Sequence, residues 1–392
     1  MALRVFLIAG EPSGDRLGAA LMAGLKTLAG EVEFHGVGGP LMAAEGLQSL
    51  FPMERLSVFG LAEVLPKLRE LFALKDKAAQ AVLEMRPDAL ITIDSPDFCL
   101  RVAKAVKASA PDLRTIHYVA PSVWAWRPKR AAKMARHIDH VLALLPFEPP
   151  YMEAAGMSCD FVGHPVVAER QASTAEVAEF RAAHGIAPDA PLLLVLPGSR
   201  RSEVTRLAPV FGQAIAPLMA AHPGLRVVLP TVAHVAPLLP DLLQGWPLRP
   251  LVLDPSGQSP ESVALQKRAA FGAADLALAA SGTVSLELAA SATPMVIAYD
   301  MNKITWSLMR RAALIDTVTL VNLVSETRVI PEFLGPACRP DAIGAALVDL
   351  ASNPAARAAQ GSAMATTMER IGQGGEAPGL RAARSVLAAI KS

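Results

Sequence analysis

Short runs of β-branched and aliphatic residues recur along the chain, and alanine-rich stretches at helical periodicity lie between most of them. In the first half the runs are Arg4–Ala9, Ala89–Ile93, Thr115–Val119, His140–Leu144 and Cys159–Val162. Continuous apolar runs of this length read as parallel strands buried on both faces. A second series follows at Leu192–Leu196, Arg226–Leu229, Leu251–Leu253, Leu276–Ala279 and Pro294–Ala298. Between the two series, Pro165–Pro191 is polar and alanine-rich without a strand pattern, and reads as an inter-domain connection.

Strand, loop and helix alternate in this way in a doubly wound α/β sheet. Both halves open alike, with an apolar strand running through a glycine turn into a helix: Arg4–Ala9 leads into Gly10, and Leu192–Leu196 into Pro197-Gly198. The expected architecture is two Rossmann-like domains facing across a cleft, at 1–168 and 190–340. The helices of 341–392 then either cross back to the N-terminal domain or exchange with a second subunit, giving a homodimer. A length of 392 residues suits two cores better than one.

Composition narrows the class. Apolar residues make up 52% and charged residues 19%, and the net charge is +1, so no global field selects nucleic acid. Cys99, Cys159 and Cys338 form no CxxC pair, which argues against a disulfide scaffold or a zinc site and fits a reducing cytosol. The apolar start, Met1 to Gly10, is short and passes directly into Glu11-Pro12-Ser13-Gly14-Asp15 without a small-x-small cleavage site, so it reads as a first strand. No stretch approaches the roughly 18 apolar residues of a bilayer span.

Three glycine turns are candidate ligand loops. The first, Gly10 to Gly18, lacks GxGxxG spacing, and no GxxxxGK[ST] occurs. Its Glu11 and Asp15 would repel a pyrophosphate and suit sugar hydroxyls better; the alternative is a turn capped by Ser13 or Asp15. The second, Pro197-Gly198-Ser199-Arg200-Arg201, combines close backbone approach, a helix N-terminus and forked cationic donors, as an anion site requires. The third, Ser281-Gly282-Thr283, also precedes a helix. Its hydroxyls suit capping or phosphate, and Glu287 one turn on suits a ribose diol. Two such turns at strand ends in one domain point to a nucleotide-diphosphate pocket.

Asp94-Ser95-Pro96-Asp97 sits where a buried strand ends, the place for active-site groups in an open α/β sheet. Its acids suit a general base, or an Asx-turn. There is no DxD motif; Asp94 and Asp97 can touch a cation, but a metal-independent mechanism is expected. Trp124, Trp126, Arg127, Lys129, Arg130, Lys133 and Arg136 combine aromatics with cations, which suits a nucleic acid or a phosphorylated amphiphile. Two segments favour the amphiphile. One is Leu61–Lys77, with Leu61, Val64, Leu65, Leu68, Leu71 and Phe72 at helical spacing beside Lys67, Arg69, Lys75 and Lys77; the other is Lys303–Arg311, with Trp306. Apolar faces flanked by cations suit an anionic membrane surface, although an ordinary core-packed helix has the same pattern. His137 and His140 read as structural, while His117 and His164 flank strand ends as pocket candidates.

Taken as a set, these motifs resemble the lipid-A-disaccharide synthase family. The matching stretches are Ala9-Gly10-Glu11-Pro12-Ser13-Gly14-Asp15, Gly36 to Met42, Asp94-Ser95-Pro96-Asp97-Phe98, His117 to Arg127, Leu145-Pro146-Phe147-Glu148, Phe161 to Pro165, Pro197 to Arg200, and Ala280 to Thr283. Pro12 and Arg201 depart from residues common in that family. The resemblance implies a GT-B glycosyltransferase that takes an acylated UDP-glucosamine donor (UDP-2,3-diacylglucosamine) and the lipid X acceptor (2,3-diacylglucosamine 1-phosphate). The products are the β-1,6-linked disaccharide 1-phosphate and UDP, formed without a cofactor. It further implies a cytoplasmic protein, peripheral on the inner face of the inner membrane of a Gram-negative bacterium, with no nucleic-acid partner.

On this resemblance, Asp94 is the base and Glu11 the second candidate. Gly198, Ser199, Arg200, Ser281, Gly282, Thr283, Glu287 and Asn322 would hold the nucleotide. Ser13, Asp97, Trp124, Arg127, Lys129 and Arg130 would meet the acceptor and its phosphate, and Leu68, Leu71, Phe72 and Trp306 the membrane. Rival readings are a UDP-GlcNAc 2-epimerase, a cell-wall GlcNAc transferase, or a non-catalytic lipid- or nucleotide-binding protein.

Overall fold

The computed structural model describes residues 2–56 and 61–391, with side chains outside 61–67. The chain divides into two compact units, Met1–Ala168 with Ile371–Ser392, and Glu169–Arg370.

The first unit is a seven-stranded parallel sheet of β1 (Leu3–Ala9), β2 (Val32–Val37), β3 (Gln48–Ser49), β4 (Ala89–Ile93), β5 (Arg114–Tyr118), β6 (His140–Ala143) and β7 (Ser158–Phe161), in the order β3-β2-β1-β4-β5-β6-β7. Helices α1 (Pro12–Ala29), α2 (Pro40–Ala44), α3 (Leu61–Met85), α4 (Pro96–Ser109), α5 (Lys129–Met134) and α6 (Pro149–Glu153) connect them. The central strands are the ones buried throughout, as in β4 and in Val5 to Ala9 of β1. Strand β2 lay outside the sequence expectation because Glu33 and His35 interrupt its apolar residues. Pro12 opens α1 where a missing N–H costs nothing, and Gly30, at φ +75°, closes it. Asp15 is buried and accepts hydrogen bonds from the amides of Gly39 (2.9 Å), Leu41 (3.0 Å) and Met42 (3.0 Å). It therefore satisfies the orphan donors at the start of α2, and faces no sugar.

The second unit holds a six-stranded parallel sheet of β8 (Leu192–Leu196), β9 (Arg226–Pro230), β10 (Leu251–Leu253), β11 (Leu276–Ala280), β12 (Met295–Tyr299) and β13 (Glu332–Leu334), ordered β10-β9-β8-β11-β12-β13. Its helices are α7 (Thr174–Ala183), α8 (Arg201–Ala221), α9 (Leu239–Leu242), α10 (Pro260–Ala273), α11 (Val284–Ala290), α12 (Lys303–Ala312), α13 (Leu320–Ser325), α14 (Pro340–Ser352) and α15 (Pro354–Arg370). The expected connection at Pro165–Pro191 contains α7, which starts with a reciprocal cap between Ser173 and Glu176. Arg268 of α10 reaches Glu176 at 2.8 Å. By length and apolar content α8 would suit a membrane span, contrary to the expectation that no segment does. Its apolar face is instead spent in the core, through Val204, Leu207, Phe211, Ile215 and Leu218.

The C-terminal helices do not form one block from residue 341. Helix α14 contributes Ile343, Leu347 and Leu350 to the core of the second unit, and α15 ends that unit. The last helix, α16 (Pro378–Lys391), belongs to the first unit, where Ala382, Ala383 and Val386 join the core. It approaches α1 so closely that a Cβ on Gly24 would lie 2.5 Å from Gly379 O. His140, buried, donates or accepts at 2.7 Å to Ser385 Oγ and at 2.8 Å to Ser158 Oγ, and Ser385 donates to Asp160 at 2.6 Å.

Candidate active site

Each sheet reverses its strand order once, between β1 and β4 in the first unit and between β8 and β11 in the second. The loops at the carboxyl ends of those strands form the crevice in which such folds hold ligands. In the first unit the loops are Gly10–Glu11 and Asp94–Ser95. Asp94 (φ +51°) and Ser95 (φ +41°) are consecutive left-handed residues, a strained backbone of the kind that clusters at functional sites. The Asp94 amide donates to Tyr118 O at 2.9 Å, and its carboxylate takes a hydrogen bond from Ser13. Burial raises the Asp94 carboxyl above the ordinary aspartate value, against the Ser95 amide and the Ser13 hydroxyl, which lower it. A Cβ on Gly10 would lie 2.6 Å from Ser95 Oγ, so glycine lets the two loops touch. The charges of Asp94 and Glu11 both reach the buried Cys99 thiol and, after burial, help push it up.

Next to this crevice, β5 runs into Val119, whose φ of +84° is rare for a β-branched residue. The loop then reaches a pocket of about 540 Å³ lined by Asp97, Arg127, Pro128, Lys129, Arg130 and Lys133. Arg127 stacks on Trp126, with its guanidinium carbon 4.0 Å from the ring centre. Asp97 is fully exposed, 3.9 Å from Arg130. Trp124 is not part of this pocket. It is buried, donates to Glu148 Oε1 at 3.1 Å, and packs edge-on against Phe147 at 5.0 Å. Glu148 also accepts from the Leu144 and Leu145 amides, and burial pushes it up to about 7 against these three hydrogen bonds. The reason is geometric: a buried indole N–H needs a partner, and Glu148 supplies one. His117, buried with Nδ1 2.8 Å from Thr92 Oγ1, and His164 are both pushed down to about 4, chiefly by burial.

In the second unit the crevice loops are Pro197–Arg200 and Ser281–Thr283. Gly198, at φ +114°, leaves the space that Glu203 fills, since a Cβ there would lie 2.6 Å from Glu203 Oε2. Glu203 reaches back from the first turn of α8 and accepts from the Ser199 and Arg200 amides, both at 3.2 Å. It also accepts from the Arg200 guanidinium at 3.1 Å and the Tyr299 hydroxyl at 3.3 Å. A carboxylate thus already occupies the amides expected to hold phosphate. Sequence reasoning passed over Glu203, although its position three residues after Arg200 signals such a reach-back. Gly282 and Thr283 are exposed, nothing stands within 4 Å of a Cβ placed on Gly282, and Thr283 makes no capping hydrogen bond. Glu287 pairs with Lys267 at 2.6 Å.

Asn322 sits on α13, which packs against α11, the helix that follows the Ser281–Thr283 loop. It is buried, donates to Ile330 O at 3.0 Å and Thr317 Oγ1 at 3.3 Å, and accepts from the Ile330 amide at 3.1 Å. Its amide is consumed as a clasp between two chain segments. Of the lipid-facing candidates, Leu68 and Phe72 are exposed, and Lys75 and Arg101 approach the Phe72 ring. Leu71 packs against the core instead. Leu61, Val64, Leu65 and Lys67 lie outside the described side chains. Trp306 is half-buried, with its ring 2.5 Å from a Cβ placed on Gly335, so it faces its own unit.

Two parallel α/β domains, each with ligand loops at its strand-order reversal, define the GT-B fold. The UDP-GlcNAc 2-epimerase of Neisseria meningitidis superposes with a TM-score of 0.63 at 11% identity, covering 100% of both chains. A calicheamicin glycosyltransferase superposes with a TM-score of 0.57 at 18% identity, covering 100% of this chain and 99% of the other. At those identities the likeness is one of fold. The family model described as lipid-A-disaccharide synthetase matches residues 5–378, and the chain belongs to that family. The lipid-A-disaccharide synthase of Ruegeria pomeroyi is 63% identical over 385 residues, 98% of this chain and 95% of the relative.

Proposed function

We infer that this chain is a glycosyltransferase that forms the lipid A disaccharide. It moves 2,3-diacylglucosamine from its UDP carrier to the 6-hydroxyl of 2,3-diacylglucosamine 1-phosphate and releases UDP. The observation that carries the reading is the family match over residues 5–378.

An α-linked donor and a β-linked product require one inversion, so a single displacement with one base suffices. Asp94 accepts the proton of the acceptor 6-hydroxyl as that oxygen bonds the anomeric carbon, and the bond to the β-phosphate oxygen breaks with its electron pair leaving on UDP. A carboxylate whose proton affinity is raised by burial is a better base than an exposed one, which supports Asp94. Glu11 is the second candidate, within electrostatic reach of the same thiol. Arg127, Lys129, Arg130 and Lys133 give the acceptor 1-phosphate a cationic seat, with Asp97 in its lining, while Ser13 hydrogen-bonds Asp94.

In the second unit, the diphosphate takes the Ser199 and Arg200 amides and the Arg200 guanidinium from Glu203, stabilising the leaving charge without need of a metal. Ser281, Gly282 and Thr283 line the neighbouring phosphate position, and Glu287 exchanges Lys267 for the ribose diol. The lipid substrates place the protein at the cytoplasmic face of the inner membrane, with Leu68 and Phe72 of α3 against the bilayer.

The test is UDP release by the purified chain with synthetic diacyl donor and acceptor. Release is expected only when both are present. Turnover of UDP-GlcNAc alone would favour the epimerase reading, and no turnover with any pair would leave a binding protein.

A further inference from the structure

Glu203 holds the Gly198–Arg200 loop in an arrangement that differs from an ordinary helix cap. A reach-back cap gives a carboxylate to one backbone amide. Here Oε2 is shared by the Ser199 and Arg200 amides, both at 3.2 Å, and Oε1 by the Arg200 guanidinium at 3.1 Å and the Tyr299 hydroxyl at 3.3 Å. Charge-assisted hydrogen bonds usually run at about 2.7–2.9 Å, so all four are long. Gly198 leaves room for this side chain, since a Cβ there would lie 2.7 Å from the Glu203 Cβ and 2.6 Å from Oε2. The Glu203 side chain is only 12% exposed, while that of Arg200 is 63% exposed. Burial, and then the Glu203 charge, raise the Tyr299 hydroxyl above the ordinary tyrosine value, which keeps it a donor to Oε1.

Four donors on one carboxylate, none at short range, make an anion that is retained yet readily exchanged. Resting on the reading that this loop takes the donor's diphosphate, we propose that Glu203 is a displaceable counter-anion that favours the donor over the product and hastens the departure of UDP. The donor's diphosphate is esterified at both ends, whereas the terminal phosphate of UDP ionises once more, at a pH of about 6. At neutral pH the product therefore brings more negative charge to the loop and meets the stronger repulsion from Glu203. As UDP leaves, the carboxylate returns to the Ser199 and Arg200 amides, so these donors keep an acceptor throughout. Glu203 is thus a specificity-determining residue and takes no part in the bond changes.

The experiment compares UDP and donor on the full-length protein: UDP by calorimetric titration and as a product inhibitor, the diacyl donor by its KM. Glu203→Gln keeps the shape of the side chain and removes its charge. This variant is expected to bind UDP about tenfold more tightly at pH 8, with the donor KM lowered by less than about threefold and kcat reduced as release slows. At pH 5.5, where the terminal phosphate of UDP is mostly protonated, the gain on UDP should shrink to that on the donor. Tyr299→Phe takes one anchor from Glu203 and no donor from the loop, and is expected to tighten UDP by about threefold. It decides the matter in the same direction if glutamine at position 203 unfolds the loop. Unchanged or weaker UDP binding shows that Glu203 only orders the loop, and overturns the proposal. Equal tightening of UDP and donor at pH 8 overturns it too, because Glu203 would not tell the two apart. A native protein that binds no UDP overturns the assignment of this loop to the nucleotide, and the proposal with it.

Discussion

The two units repeat one strand order and place a glycine loop after the first strand of each, yet a carboxylate at the same crevice does opposite work in the two. In the first unit Asp94 sits on strained backbone, half-buried, with its proton affinity raised. In the second, Glu203 is knotted to two amides, a guanidinium and a phenol. The first holds its proton more tightly than an ordinary aspartate, while the second orders its loop. Fold supplies the crevice, and the residues around each carboxylate decide its chemistry.

The sharpest break of this comparison is Asp94→Asn. Loss of a general base is expected to cut turnover by about 10²–10⁴-fold while leaving UDP affinity unchanged. Stability should move the other way. Because the folded-state pKa is raised, the protonated form is favoured on folding, and the cost of the charge is present in full above that pKa. The asparagine variant should therefore melt higher than the native protein at pH 8, by differential scanning calorimetry. Turnover of the native protein should fall as the pH drops through a value above that of an ordinary aspartate. Near-normal turnover in the variant would move the base to Glu11.

Arg200→Ala tests the other side. Losing a charge-assisted hydrogen bond to phosphate is worth about 1.5–3 kcal/mol, so calorimetric titration should find UDP bound about 10- to 100-fold more weakly. If Asp94→Asn weakens UDP as much as Arg200→Ala does, the division of labour between the units fails.

Much of this was legible in the sequence. Ten strands were visible as aliphatic runs because parallel strands covered on both faces admit few polar residues. Strands β2, β3 and β13 escaped because each is short or interrupted by charge, as at Glu33, His35, Gln48–Ser49 and Glu332. The start of α7 was readable from Ser173 and Glu176 at capping-box spacing. The return of α16 was legible only as one of two alternatives for 341–392, because it depends on fits such as Gly24 against Gly379 and His140 against Ser385, between residues remote in sequence. The crevice loops announced themselves through glycine at strand ends. What stayed hidden was direction. Trp124, Asn322 and Trp306 are residue types that serve ligands, membranes or cores equally well, and only their partners decide which. Asn322 did carry a signal, since a lone amide among Val321, Leu323 and Val324 suggests a buried clasp.

The smallest effect expected is that of Trp124→Phe, and it separates the two readings of that residue. If the ring met substrate, the variant would raise KM and leave stability alone. The buried contact with Glu148 predicts the reverse. Phenylalanine keeps the edge-on packing against Phe147 but removes the donor to Glu148 Oε1, leaving a buried acceptor unsatisfied at a cost of about 1–3 kcal/mol. The sign of the pH effect follows from Glu148, which burial pushes up to about 7. With its folded pKa above the unfolded one, stability is full below about 4.5 and declines as pH rises through about 7, where the carboxylate must be carried charged. The indole N–H offsets that charge. Its removal should therefore cost more at pH 8 than at pH 5.5 in urea denaturation, while KM for the acceptor stays close to native. An equal loss at both pH values would show that Trp124 contributes packing alone.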